Sequence, residues 1–372
     1  MATTFASLKS RIRKVVPRPL KGRLGLLLDV LTTEYNFRFN QRSIHKALER
    51  SQSLPINLHI EGTNVCNAKC AFCAYPQMER AKETMPLEDF QRVIDDFVQL
   101  GGQFVSLTPI VGDPFVDRWI FERLDYLNEC PQIKGFDFYT NGILLKPAVI
   151  QKLVKYADKL HIQVSFGGFD RETYRAVMGV DYYELVRQNL EAFFALKRSL
   201  PKTPRLSLAL RCPTSNCAGD FWESCWKAVQ EGILSIQTIE TFDSWAGKVS
   251  DEALRRVGLE PVLPPHKRGA CELLFMKPVI LANGKVNACA CRDVEAELII
   301  GDLKQSSLSE IWAGEAIDNL IERHEHGDYP DVCKRCTWYT SIYNTRKQSY
   351  RINKTAIALN KSDAELSQPL HV

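Results

Sequence analysis

No apolar run in these 372 residues is long enough to cross a bilayer. The longest near the N-terminus, Leu24 to Leu31, is broken by Asp29, whereas a spanning helix needs roughly 20 predominantly apolar residues. Nothing resembling a secretory signal peptide opens the chain, and no nucleic-acid-binding module can be read along it. A disulfide framework is missing too. Twelve cysteines are present, but eight of them group as 66/70/73, 271/289/291 and 333/336. That clustering suits metal ligands better than pairwise cross-links. The expectation is a cytoplasmic protein in reducing surroundings, where thiolates persist.

Charge of one sign is in small excess, 48 Lys and Arg against 44 Asp and Glu, and its distribution is uneven. Residues 1–50 hold eleven basic side chains against Asp29, Glu34 and Glu49, a net +8, so the rest of the chain is mildly acidic. Such a leader could touch an anionic membrane surface, an anionic substrate or a nucleic acid. Its plainer reading is a solvated helix packed across the edge of the domain that follows.

From residue 56 to 241 short extended patterns alternate with longer helical ones, which predicts parallel strands joined by crossover helices. Six units fit, with strands at Ile56 to Glu61, Phe104 to Ile110, Gly135 to Asn141, Leu160 to Phe166, Arg205 to Cys212 and Ser235 to Thr241. In the fifth, Leu206, Leu208 and Leu210 share one face while Ser207, Ala209 and Arg211 share the other. A parallel sheet must give its leucine face to the helices, so the polar face lines the interior. A closed eight-stranded barrel fills its interior with bulky apolar side chains. The polar lining therefore predicts an open barrel that holds a polar ligand. The expected fold class is α/β, a partial (β/α)6 TIM-like barrel with a small C-terminal α+β domain.

Just after the first strand stands Cys66-Asn-Ala-Lys-Cys70-Ala-Phe72-Cys73. Three thiolates at this spacing can hold three corners of a four-iron cluster and leave one iron open, although zinc or disulfide chemistry would also use them. The pattern resembles the radical S-adenosylmethionine (SAM) superfamily, whose open iron binds the amino and carboxylate groups of that cofactor and whose loop often has an aromatic where Phe72 stands. Val111-Gly112-Asp113-Pro114 looks like the family's glycine-glycine-glutamate-proline turn, which implies that Gly112 admits the cofactor and Asp113 binds its ammonium group. Asn141, in Thr140-Asn141-Gly142, and Ser165 are implied contacts for its carboxylate or ribose. This chain departs from the family at Val111, at Gly167, where an aspartate is common, and at Met178, where many relatives carry a carboxylate-binding arginine. Arg171, Arg175 or Arg211 could substitute.

Past Pro261 to Pro265 the chain changes character. A hairpin is predicted from Leu274 to Cys291 around Asn283-Gly284, flanked by Cys271 and Cys289, and Cys333-Lys-Arg-Cys336 follows. The order resembles the SPASM auxiliary-cluster domain in its short, twitch form. No cysteine follows Cys336, which implies one auxiliary cluster held by Cys271, Cys289, Cys333 and Cys336. Cys291 could replace Cys289 or pack nearby, and zinc remains the rival metal. The expected organisation is a basic helical extension over 1–54, the partial barrel over 55–242, a linker over 243–270, the twitch domain over 271–340 and a tail over 341–372.

The resemblance implies two 4Fe-4S clusters, SAM, and a flavodoxin- or ferredoxin-type reductant. One electron would cleave the cofactor to a 5'-deoxyadenosyl radical that removes a hydrogen atom from substrate, and an auxiliary cluster could accept the electron left behind. Twitch enzymes of the 2-deoxy-scyllo-inosamine dehydrogenase type, which oxidise an aminocyclitol alcohol, are similar in auxiliary cysteine spacing. Arg211 is the expected substrate contact, at the C-terminal strand end where barrel active sites lie, unless it is tied to Glu61 or Glu240. Cys212 and Cys217 could instead donate a hydrogen atom in an epimerisation. The leading expectation is an oxidoreductase acting on a sugar or aminocyclitol alcohol. The alternatives are a maturase of ribosomally made peptides, against which the short basic leader weighs, and a non-catalytic zinc-binding protein.

Overall fold

The computed structural model describes residues 18–52, 57–239, 241–275, 278–289 and 292–347. Residues 1–17 of the basic leader, Glu240, Cys291 and residues 348–372 of the expected tail lie outside them. Two helices come first, α1 (Arg18–Phe39) and α2 (Gln41–Gln52). Strand β1 (Asn57–Ile60) then begins a series in which strand and helix alternate: α3 (Leu87–Gln99), β2 (Phe104–Ser106), α4 (Ile120–Glu129), β3 (Gly135–Thr140), α5 (Pro147–Leu153) and β4 (Leu160–Phe166). The series continues through α6 (Arg171–Met178), α7 (Tyr183–Ser199), β5 (Arg205–Leu210), α8 (Asp220–Gln230) and β6 (Ser235–Thr238).

These strands pair in chain order, all parallel. Helix α3 shows why the crossovers dock: Phe90, Val93, Ile94 and Phe97 recur at spacings of three and four and are buried. Each such burial is worth roughly 2 kcal/mol. On β5 the outward leucines 206, 208 and 210 are buried, as expected of the helix-facing side. The inward side is polar and internally bonded. Ser106 reaches Asp137 at 2.5 Å, Gln163 reaches Asp137 at 3.4 Å, and His161, Ser207 and Ser235 form a chain of two 2.6 Å contacts.

Some elements differ from expectation. The second strand stops at Ser106 because Pro109 cannot donate to a ladder and Thr108 turns its hydroxyl to the Tyr139 amide at 2.6 Å. The sixth strand ends at Thr238, and Thr241–Phe242 (β7) pairs separately with Glu260–Pro261 (β8), beyond α9 (Asp251–Arg256). The predicted hairpin is shorter than its pattern. Its strands are Val279–Ile280 (β9) and Lys285–Asn287 (β10), around Gly284 at φ +85°, while Glu272–Phe275 forms a buried 3-10 turn.

The hairpin does not form a sheet of its own. Strand β9 pairs parallel to β1, β10 antiparallel to β9, and Ile299–Asp302 (β11) antiparallel to β10, so one nine-stranded sheet runs β11-β10-β9-β1-β2-β3-β4-β5-β6. The boundary expected near residue 271 is thus crossed by a continuous ladder. The chain then packs three short helices, α10 (Leu308–Trp312), α11 (Glu315–Glu325) and α12 (Asp331–Arg335).

The N-terminal helices are not laid across the barrel's edge as the plainer reading of the leader had it. They bind the C-terminal part instead. Asn36 donates to the Tyr343 carbonyl at 2.9 Å, and Glu34 meets Arg268 at 2.9 Å and His266 at 2.8 Å. Asp29 pairs with Lys347 at 3.0 Å and Arg346 at 3.2 Å.

Candidate active site and auxiliary centre

The triplet lies on the loop that leaves β1 at Ile60. Asn64 pins its far side, donating to the Ala81 carbonyl at 2.8 Å and accepting from the Glu83 amide at 2.7 Å. The Cys73 amide bonds back to the Cys70 carbonyl at 3.1 Å, tightening the turn. Gly179, at φ +67°, ends α6 against this loop, where a Cβ would stand 2.1 Å from the Lys69 carbonyl oxygen. The three thiols feel one another. Burial above all pushes Cys66 up to about 12 and raises Cys70 and Cys73; the charge of Cys73 adds to the rise at Cys66 and Cys70, while Arg292 and Arg211 oppose it at Cys73. Three sulfurs converging in a dry site and disfavoured as free thiolates suit a bound cluster, since a metal deprotonates its thiol ligands. The donor set therefore fits iron–sulfur ligation.

Asp113 lies beneath this loop, 1% exposed. One carboxylate oxygen accepts from the Thr140 hydroxyl and the Asn141 amide, both at 2.8 Å, and the other from the Phe115 amide at 3.1 Å. Burial nevertheless raises its pKa. The carboxylate thus fixes the end of β3 to the loop that follows β2. Gly112 sits at φ +110°, and a Cβ there would stand 2.5 Å from the Thr63 carbonyl. Asn141 is held toward the triplet, with its amide 2.6 Å from Asn67 and 3.8 Å from the Cys66 sulfur.

Of the three arginines that could serve the cofactor or substrate, only Arg211 faces inward. Arg171 is an exposed partner of Asp181 at 2.7 Å, and Arg175 is exposed. The Arg211 guanidinium lies 5.3 Å from the centre of the Phe72 ring and 5.7 Å from that of Tyr139, and its Nε donates to Ser165 at 3.4 Å. It has no ion pair among the described residues: Glu61 is engaged by Arg80 through two 2.7 Å bonds, and Glu240 lies outside them. Burial lowers its pKa. The two departures at Gly167 and Met178 prove to be one. A Cβ on residue 167 would stand 2.5 Å from the Met178 side chain, whose sulfur is 4.0 Å from that of Cys70. Cys212 is buried, and its thiol donates a hydrogen bond to that of Cys217; both are free cysteines.

Cys271, Cys289, Cys333 and Cys336 line one cavity together with His324 and Arg292. Burial, then the neighbouring Cys336, pushes Cys333 up to about 12. Lys267 is threaded alongside, donating to the Cys333 carbonyl at 2.7 Å. This set also fits a cluster.

Sequence reasoning missed what joins the two cysteine sets. Trp245 donates its indole N–H to the Phe72 carbonyl at 2.8 Å, inside the triplet loop. Arg292 lies 4.5 Å from the Trp245 ring and 4.6 Å from that of Trp338, two residues past Cys336, while meeting Asp243 at 2.6 Å. Trp245 takes a left-handed backbone, φ +49°, to do this, an uncommon conformation for so bulky a residue. The only signal in the sequence was that Arg292 follows the second cysteine set directly.

Residues 60–200 match the radical SAM superfamily, and residues 271–337 match the iron-sulfur cluster-binding SPASM domain. The fold agrees with solved structures. One is BtrN in complex with AdoMet and 2-DOIA (TM-score 0.52, 15% identity, 80% of this chain and 98% of that one). Another is SuiB of Streptococcus suis bound to precursor peptide SuiA (TM-score 0.55, 16% identity, 84% and 78%). Among curated proteins the chain is 26% identical to a probable GTP 3',8-cyclase of Methanothermobacter marburgensis over 51% of this chain and 59% of that one. It is also 26% identical to the subtilosin biosynthesis protein AlbA of Bacillus subtilis, over 41% and 34%. These matches span from about a third to little more than half of each relative's length. The architecture is that of a partial barrel with an appended cluster-binding domain. The chain belongs to the radical SAM superfamily and carries a SPASM domain; its cofactors are S-adenosylmethionine and iron–sulfur clusters, an auxiliary one included.

Proposed function

We propose that this enzyme is an oxidoreductase that removes a hydrogen atom from a small polar substrate, a sugar or aminocyclitol alcohol, and converts the alcohol carbon to a carbonyl. The observation that carries the reading is Arg211. A guanidinium half-buried between two aromatic rings, without an ion pair among the described residues, favours an oxygen ligand that offsets its partial desolvation. It stands at the end of an inner face already lined by Asp137, His161, Gln163 and Ser207. Such a lining suits a ligand rich in hydroxyl groups.

In this reading Cys66, Cys70 and Cys73 hold the first cluster, and Cys271, Cys289, Cys333 and Cys336 the auxiliary one. When bound, these groups and S-adenosylmethionine supply the 5'-deoxyadenosyl radical and an acceptor for the second electron, with a flavodoxin- or ferredoxin-type protein as reductant. Asp113 holds Thr140 and Asn141 in place, and Asn141 and Ser165 offer polar groups to the cofactor. Phe72 and Tyr139 flank Arg211 and exclude water from it. Arg211 donates hydrogen bonds to the substrate oxygen and lowers the cost of its losing a proton. Peptide maturation is the second reading, favoured by the fold shared with SuiB and the partial match to AlbA.

The test is anaerobic incubation of reconstituted enzyme with S-adenosylmethionine, dithionite and either a panel of aminocyclitols and sugars or a panel of peptides. A carbonyl product formed in step with 5'-deoxyadenosine is expected from the first panel. Arg211→Lys should raise KM at least tenfold while cluster content stays unchanged. Modification of peptides alone would replace the proposal with the second reading.

A further inference from the structure

Helix α1 is packed with polar side chains inward and apolar ones outward. Asp29, Thr33 and Asn36, all polar, are 6%, 1% and 7% exposed and face the protein. Leu24, Leu27, Leu28, Leu31, Tyr35 and Phe39 are 50%, 54%, 42%, 58%, 60% and 71% exposed. At 3.6 residues per turn these six occupy an arc of roughly 120° along about 22 Å of helix, opposite the polar arc. An ordinary surface helix turns such a stripe inward, and a continuous exposed stripe of this kind marks an interaction surface.

The inversion is built in rather than left by loose packing. Asp29 is held by Arg346 and Lys347, and Asn36 by the Tyr343 carbonyl at 2.9 Å and the Thr345 hydroxyl at 3.2 Å. These bonds fix the rotation of α1 with its leucines outward. Basic side chains accompany the stripe: Arg38, 69% exposed and 3.7 Å from Glu34, lies on the same face near its end, and Arg42 and Lys46 on α2 are exposed as well. Eleven Lys and Arg against three acidic residues in positions 1–50 give this end of the chain its net +8.

We infer that α1 seats the enzyme on an anionic lipid surface, lying in the plane of the headgroups with its leucines and aromatic rings in the acyl boundary. Apolar and cationic contributions act together there: acyl-chain burial of the stripe gives hold, and each basic residue near an anionic leaflet adds attraction that salt weakens. The same charge opposes the other simple cover, a second copy, because pairing two α1 faces would bring two +8 segments together.

The probe is vesicles of phosphatidylcholine alone or with 30% phosphatidylglycerol, co-sedimented with the full-length protein. Wild type should bind the anionic vesicles at least tenfold more tightly than the neutral ones. The triple change Leu27→Asn, Leu31→Asn, Tyr35→Ser should abolish that binding, and Arg38→Glu with Arg42→Glu should weaken it tenfold. Circular dichroism and iron content, matched to wild type, confirm that the variants fold. Absence of binding to anionic vesicles, or a triple variant that binds as wild type does, overturns the inference. So does a wild-type dimer in light scattering that the triple variant converts to monomer without any lipid binding, since the stripe would then be a subunit interface.

Discussion

Burial acts on two basic side chains of the inner face with opposite results. Arg211 is lowered from its ordinary pKa yet stays a cation, because a guanidinium starts so high. His161 starts at 6.5 and is pushed down to about 4, by burial first and the charge of Arg205 second, so its ring is neutral in the folded protein. Between these values the unfolded chain binds a proton that the native ring does not, and stability must fall as the pH drops from 6.5 toward 4. The loss is on the order of 2 kcal/mol. Urea titrations at pH 7.0 and 4.5 should show wild type losing more stability than His161→Gln over that interval; equal losses would remove His161 from the account. At this scale the sequence was informative where residues act near their neighbours. The cysteine triplet, the Gly112-Asp113 turn and the inward alternation of Arg211 were all visible. The Trp245–Arg292–Trp338 stack was not, because its members lie on separate segments and bear no local pattern.

Among the elements, the staple between the triplet loop and the C-terminal part is the most consequential. Glu61 is fully buried and takes both guanidinium nitrogens of Arg80 at 2.7 Å as well as the Ala282 amide at 3.2 Å. Arg80 also donates to the Val294 carbonyl at 3.0 Å, while Glu295 accepts from the Arg80 amide and pairs with Lys248. Removing one member of such a buried pair strands the other, at a cost of about 3–5 kcal/mol. Arg80→Leu should therefore lower the thermal midpoint by many degrees, and Arg80→Leu combined with Glu61→Leu by less than the single change. A double variant as unstable as the sum of its singles would show that the two charges do not act as a unit. Strand and helix order was legible from alternation and periodicity, whereas lengths were not. Pro109 and the separate β7–β8 pair cut strands that apolar pattern alone would have extended.

For the whole molecule, the unforeseen fact is that the cluster-binding domain completes the barrel's sheet. Periodicity shows that β9 and β1 are strands, but it carries no information about which edge a distant strand will join. A chain ending at residue 270 would leave the β1 edge unpaired and Glu61 without the Ala282 amide, and open edges with buried-type residues associate. Expressed alone, residues 1–270 should aggregate while the full chain stays monodisperse in size-exclusion chromatography. A soluble monomer of 1–270 with native circular dichroism would show that the two parts fold apart.

The pairing of Ile60 with Ile280 also sets an order of events during synthesis. Some 220 residues must leave the ribosome between these partners, and contacts so distant in sequence form late because long loops must close first. The strand that carries Cys66, Cys70 and Cys73 into position therefore acquires its second neighbour only after residue 280 has been made. Iron delivered to the nascent triplet would meet a loop still lacking its Glu61–Ala282 anchor. The loop that bears the triplet is thereby anchored only once Ala282 has joined it.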